Sequence, residues 1–92
     1  MKELCVRVCN PRGLHARPSA QFSSVAKKYD CRVTVTSSDR SADGKSIMGL
    51  LTLAATHDSQ LTICLVGPEA NEAADALLDQ CHESICLTKN RP

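Results

Sequence analysis

The chain has 92 residues with a net charge of +1, and 42% of them are apolar. That is enough for one aliphatic core, since Phe22 and Tyr29 are the only aromatic residues and there is no tryptophan. The near-neutral balance, with no basic run and no stacking aromatics, excludes a nucleic-acid binder. Neither an amino-terminal leader nor a membrane-length apolar run is found, so a cytoplasmic protein is expected.

In chain order, Lys2–Val8 alternates, with Leu4, Val6 and Val8 on one face and Cys5 and Arg7 on the other, which predicts a half-buried strand. Asn10–Gly13 is a turn. Pro18 suits the first turn of a helix, where its missing N–H costs nothing, and this helix is expected to run to about Lys28 with Arg17 at or just outside its start. Phe22, Val25, Ala26 and Tyr29 form its apolar stripe. Cys31–Ser37 alternates again and is rich in β-branched residues. Ser37-Ser38-Asp39 is a turn leading into a short return strand, Arg40–Asp43. Ser46 precedes Ile47-Met48-Gly49-Leu50-Leu51 as an N-cap should, and Gly49 limits that helix to a short one. Gly44-Lys45-Ser46 imitates the end of a phosphate-binding P-loop, but Asp39 stands where that pattern needs glycine, so nucleotide binding is discarded.

Leu61, Ile63 and Leu65 mark a further strand, which Gly67-Pro68 ends. Ala70, Ala73, Ala74, Leu77, Leu78 and Cys81 form the stripe of a helix expected from Glu69 to about Cys86. Residues 1–88 then form the domain and 89–92 a frayed tail. The order is β-α-β-β-α-β-α. With one apolar face per strand, helices should cover one side of an antiparallel sheet.

Chemistry concentrates in Gly13-Leu14-His15-Ala16-Arg17-Pro18. A neutral imidazole is a good nucleophile, and the phosphoramidate it forms is reactive enough to be given up again. A guanidinium binds phosphoryl oxygens through a planar fork and stays charged. The start of a helix adds unpaired N–H groups and a favourable dipole. His15 and Arg17 at this place therefore suit a phosphoryl group that is carried and released. Leu14 and Ala20 near His15, with Ile47, Met48 and Leu51, would make an apolar docking patch; Leu50 and Leu53 are read as core.

Asn10-Pro11-Arg12-Gly13-Leu14-His15-Ala16-Arg17-Pro18 and Gly44-Lys45-Ser46-Ile47-Met48-Gly49-Leu50-Leu51-Thr52-Leu53-Ala54-Ala55 resemble the two signature segments of the HPr family. These are the histidine-containing phosphocarriers of the bacterial phosphoenolpyruvate-dependent sugar phosphotransferase system. The resemblance covers about residues 2 to 85. It implies an α+β open-faced sandwich, with a four-stranded antiparallel sheet in the order first-fourth-second-third under three helices. It also implies that His15 lies near the helix after Ser46, accepts phosphate on Nδ1 from enzyme I, and hands it to IIA-type domains. Ala16 and Pro18 would share the partner-binding surface. Ser46 would be a regulatory phosphorylation site for HPr kinase/phosphorylase. The chain would then be a monomeric substrate of its partners, not an enzyme, with no cofactor. Asp58 and Ser59 stand in a turn where many members have glycine.

Two other readings compete with this one. One is a regulatory binding module, in nitrogen or carbon control, read through its phosphorylation state. The other is a thiol or metal module built on Cys5, Cys9, Cys31, Cys64, Cys81 and Cys86 with His57 and His82. No C-x-x-C pair occurs and no secretory context is visible, so the cysteines are read as small hydrophobes and no metal is expected. Cys5 and Cys64 should share the open face on neighbouring strands, without a bridge.

Overall fold

The computed structural model describes residues 1–88; the tail expected at 89–92 lies outside the described residues. The elements are β1 (Lys2–Val8), α1 (Ala16–Ala26), β2 (Arg32–Ser37), β3 (Arg40–Asp43), α2 (Ile47–Thr52), β4 (Gln60–Val66), α3 (Ala70–Gln80) and β5 (Ile85–Leu87). The antiparallel sheet runs β3-β2-β4-β1-β5. Its first four members have the expected neighbours, and the three helices cover one face. The fold is an open-faced sandwich.

Period-two patterning does the sorting. Leu4, Val6 and Val8 of β1, Val33 and Val35 of β2, and Leu61, Ile63 and Leu65 of β4 are all buried. They meet Phe22, Val25 and Ala26 of α1, Leu50 of α2, and Ala73, Ala74 and Leu77 of α3 in one core. Each large aliphatic side chain taken from water there contributes about 1.5–3 kcal/mol. On the other face Cys5, Arg7, Thr34, Thr36, Thr62 and Cys64 stay half-buried. Two buried serines fasten the helix layer: Ser19 Oγ donates to the Leu14 carbonyl at 3.4 Å, and Ser23 Oγ to the Lys45 carbonyl at 2.7 Å.

The carboxy-terminal end differs from expectation. The last helix stops at Gln80 instead of Cys86, and a fifth strand follows. Cys81 has left helical geometry (φ −110°, ψ 23°). The N–H groups of Ser84 and Ile85 both donate to its carbonyl at 2.9 Å, which turns the chain back to the sheet. Ile85 pairs with Val8 and Leu87 with Val6, and Ile85 becomes core. Burial falls along Ile85-Cys86-Leu87, from buried through half-buried to exposed, so what the strand gains is the burial of Ile85 at the free edge of β1, which prevails over one more helical turn.

The same turn corrects the cysteine reading. Cys86 lies beside the end of β1 and forms a disulfide with Cys9, with Cα atoms 6.0 Å apart, inside the range a bridge spans. Cys5, Cys31, Cys64 and Cys81 are free. Cys5 pairs with Thr62 and Cys64 with Glu3, so the two stand on a diagonal, a relation that separates Cα atoms by about 7–8 Å and leaves them unbridged.

Positive φ occurs at Gly13, Ser38, Ala54, Asp58 and Gly67 among the described residues, and two of these positions matter most here. Asp58 sits at φ 73°, a conformation that aspartate tolerates better than most residues; its N–H bonds to Val8 O at 2.8 Å and its carboxylate holds Arg7 at 2.8 Å. Gly13 sits at φ 79°, and a Cβ there would stand 2.6 Å from the Ala55 carbonyl oxygen. Gly13→Ala should therefore cost about 1–3 kcal/mol of unfolding free energy in urea denaturation. A loss below about 0.5 kcal/mol would show that the loop absorbs the methyl group without strain.

Candidate functional site

The loop before α1 is built by short-range bonds. Asn10 closes it twice: its carbonyl accepts from Gly13 N–H and its side-chain Oδ1 from Arg12 N–H, both at 2.9 Å. Leu14 N–H then donates to the Ala55 carbonyl at 2.9 Å, tying the loop to the segment after α2. His15 follows in extended geometry (φ −87°, ψ −165°) as the N-cap of α1. The helix begins at Ala16, so Arg17 lies inside it, not at its edge as expected. Pro18 is the third helical residue. The first three helical N–H groups lack partners in any helix, so proline is as harmless there as at the first position. Ser19 N–H makes the first helical bond, to the His15 carbonyl at 3.0 Å.

The His15 side chain makes no capping bond. The imidazole is half-exposed, and the first turn of α1 lies beside it. Arg17 is exposed, and among the described residues its guanidinium has no ion-pair or hydrogen-bond partner. Both line one shallow depression of about 380 Å³. Such an arrangement can receive an anionic group at a nucleophilic nitrogen: helix N–H groups and a planar cation face its oxygens, and neither is committed elsewhere.

The depression also contains residues to which sequence reasoning gave no role. Asn10, Pro11 and Arg12 come from the loop, Gln21 from one turn further along α1, and Glu83 and Ser84 from the turn before β5. Gln21 was accessible from helical spacing, since it lies four residues after Arg17. Its amide donates to the Gln80 carbonyl at 2.8 Å, joining α1 to the end of α3. Glu83 and Ser84 carried no local signal, because that stretch reads as helix.

Ser46 caps α2 as expected, accepting the Gly49 N–H at 2.9 Å. The α2 helix packs on α1, but Ser46, Ile47 and Met48 do not line the His15 depression. Met48 is 71% and Ile47 38% exposed; Ala16 is exposed, and Leu51 and Ala20 are half-buried. Leu14 is only 5% exposed and belongs to the core, so it offers a partner little surface. Pro18 is buried as well, though it reaches the wall of the depression. Leu50 and Leu53 are core. Among the described residues no three histidine, cysteine or acidic side chains gather as a metal site would need.

A family model described as "PTS HPr component phosphorylation site" matches residues 2–83. The chain is 44% identical over 85 residues to the phosphocarrier protein HPr of Vibrio cholerae, an alignment spanning 89% of this chain and all of that one. In three dimensions it resembles HPr-C-His from Thermoanaerobacter tengcongensis, with TM-score 0.84 and 33% identity over 89% of this chain and 92% of that one. It also resembles HPr from Bacillus anthracis, with TM-score 0.79 and 33% identity over 86% and 94%. These are carriers of a phosphoryl group, not catalytic enzymes. Matched along nearly its whole length in sequence and in fold, the chain belongs to the HPr family of phosphocarrier proteins of the phosphotransferase system.

Proposed function

We propose that His15 accepts a phosphoryl group from phosphorylated enzyme I and passes it to IIA-type domains of the sugar phosphotransferase system, in the cytoplasm and as a monomer. The observation that carries this reading is the pairing, in one depression, of an imidazole with no capping role and a guanidinium with no partner. In the transfer, Nδ1 of His15 forms a bond to phosphorus as the donor's nitrogen–phosphorus bond breaks. Arg17 holds the equatorial oxygens, and the first-turn N–H groups of α1 face the charge that develops. Positioning and charge supply the catalysis, and both sit in His15-Ala16-Arg17 at the start of α1. Ile47 and Met48, with Ala16, Ala20 and Leu51, form the apolar part of the docking surface.

Ser46 is proposed as a second, regulatory phosphorylation site, a substrate of HPr kinase/phosphorylase. Its hydroxyl caps α2, and a helix start favours added negative charge. A phosphoserine bearing about −1.5 to −2 charges keeps oxygen acceptors beside the Gly49 N–H. It also sets that charge next to exposed Ile47 and Met48. Docking of a partner with carboxylates around its own apolar site is then opposed by repulsion and by desolvation of the phosphate.

Incubation with enzyme I, magnesium and phosphoenolpyruvate, followed by mass spectrometry, should give one acid-labile phosphoryl group; His15→Ala should give none, and unchanged labelling of that variant would end the carrier reading. Arg17→Lys keeps the charge and loses the fork, so transfer should slow roughly tenfold with folding intact. A wild-type rate for Arg17→Lys would reduce Arg17 to a surface charge. Ser46→Asp should melt no lower than wild type yet accept phosphate more slowly at low salt, with the defect shrinking as salt is raised. Equal rates at low salt would leave Ser46 a cap alone.

A further inference from the structure

The Cys9–Cys86 disulfide joins the two segments whose neighbouring residues wall one side of the His15 depression. Asn10 adjoins Cys9, Ser84 stands two residues before Cys86, and both line that depression together with Glu83. Cys9 N–H donates to the Ser84 carbonyl at 2.9 Å, so backbone and bridge act on the same few residues. Both bridged cysteines are half-exposed, within reach of a small thiol or disulfide. The remaining thiols are poorer candidates. Cys31 and Cys81 are buried, and desolvation raises the pKa of both, that of Cys81 to about 11. Cys5 and Cys64 have no thiol directly opposite them.

We propose that Cys9 and Cys86 are a reversible oxidation site that governs how readily His15 takes up a phosphoryl group, an inference that rests on the carrier reading above. In the bridged state the turn carrying Glu83 is fastened at the rim of the depression. Its carboxylate then repels the incoming phosphoryl group. Without the bridge, this side of the rim keeps only the Cys9–Ser84 backbone bond and a three-residue edge strand whose last member, Leu87, is 59% exposed. The reduced rim yields, the carboxylate swings clear, and uptake quickens.

The chemistry is thiol–disulfide exchange with a small-molecule disulfide, for which glutathione disulfide serves as probe. The Cys9 thiolate attacks one sulfur of glutathione disulfide, whose S–S bond breaks and releases one glutathione thiolate. The Cys86 thiolate then attacks the Cys9 sulfur of the mixed disulfide and expels the second. One disulfide is reduced and one is formed, and the two protons given up by the protein thiols pass to the glutathione thiolates. A dithiol reverses the sequence.

The full chain is equilibrated with glutathione disulfide or with dithiothreitol and freed of reagent. Its thiols are then counted by alkylation and mass spectrometry, and labelling of His15 by enzyme I and phosphoenolpyruvate is timed. The oxidised form should label about fivefold more slowly than the reduced form. The double variant Cys9→Ser/Cys86→Ser should keep the reduced rate under both treatments, and Glu83→Gln should restore most of the rate of the oxidised form. Free thiols at Cys9 and Cys86 after glutathione disulfide, equal rates, or a difference that survives in the double variant would overturn the proposal. The imidazole resonances of His15, followed by NMR, separate the two readings. If neither form labels but these resonances move on reduction, the carrier reading fails and the coupling holds; if they do not move, the coupling fails.

Discussion

Leu14 N–H donates to the Ala55 carbonyl at 2.9 Å, and Gly13, one residue earlier, is packed so closely on the same carbonyl that no side chain fits between them. This contact joins two segments more than forty residues apart and sets where α1 begins. From it follow the extended geometry of His15, the first helical bond from Ser19, and the presence of His15 and Arg17 in one depression. Ser23 repeats the tie one layer deeper by bonding the Lys45 carbonyl, so the turn that leads into α2 is anchored to α1 as well. The two segments that resemble the family signatures are thus two sides of one structural joint.

The two short-range helix starts are solved in opposite ways. At α2 the N-cap side chain is spent on the helix: Ser46 accepts the Gly49 N–H. At α1 the N-cap is a histidine whose ring makes no such bond, although a serine or aspartate there would add roughly 1 kcal/mol. Stability is given up at that one position, and what remains is an imidazole with no capping bond beside unpaired N–H groups. The buried Ser19 and Ser23, by contrast, satisfy their hydroxyls on backbone carbonyls and hold α1 in place.

Most of this architecture was legible in the residues. Alternation marked β1, β2 and β4, the spacing of Phe22, Val25 and Ala26 marked α1, and Ser46 announced α2, because in each case the pattern is local and one face is buried. Asp58 showed how a turn that suits glycine is held by another residue, with its carboxylate fixed by Arg7. The last helix was overrun because no glycine or proline stops it after Gln80; what stops it is the free edge of β1, a partner eighty residues away. For the same reason the Cys9–Cys86 bridge and the place of Glu83 escaped notice. A contact across 77 residues leaves no mark in spacing, and cysteine count alone does not give connectivity. In the site, His15 and Arg17 were readable from one hexapeptide, while its far wall depends on where the chain returns.

The strand order has a bearing on how the chain is made. β1 is first to leave the ribosome, yet its neighbours are β4 and β5, which come last. Only β2 and β3 can zip up as a hairpin on emergence, and even they lack the β4 edge that will flank them. β1, with Leu4, Val6 and Val8, therefore has no strand partner until β4 has been synthesised, an interval in which a bare apolar strand is open to wrong pairing. Closure of the sheet thus waits for β4 and β5, and its rate is set by long-range pairing more than by helix formation.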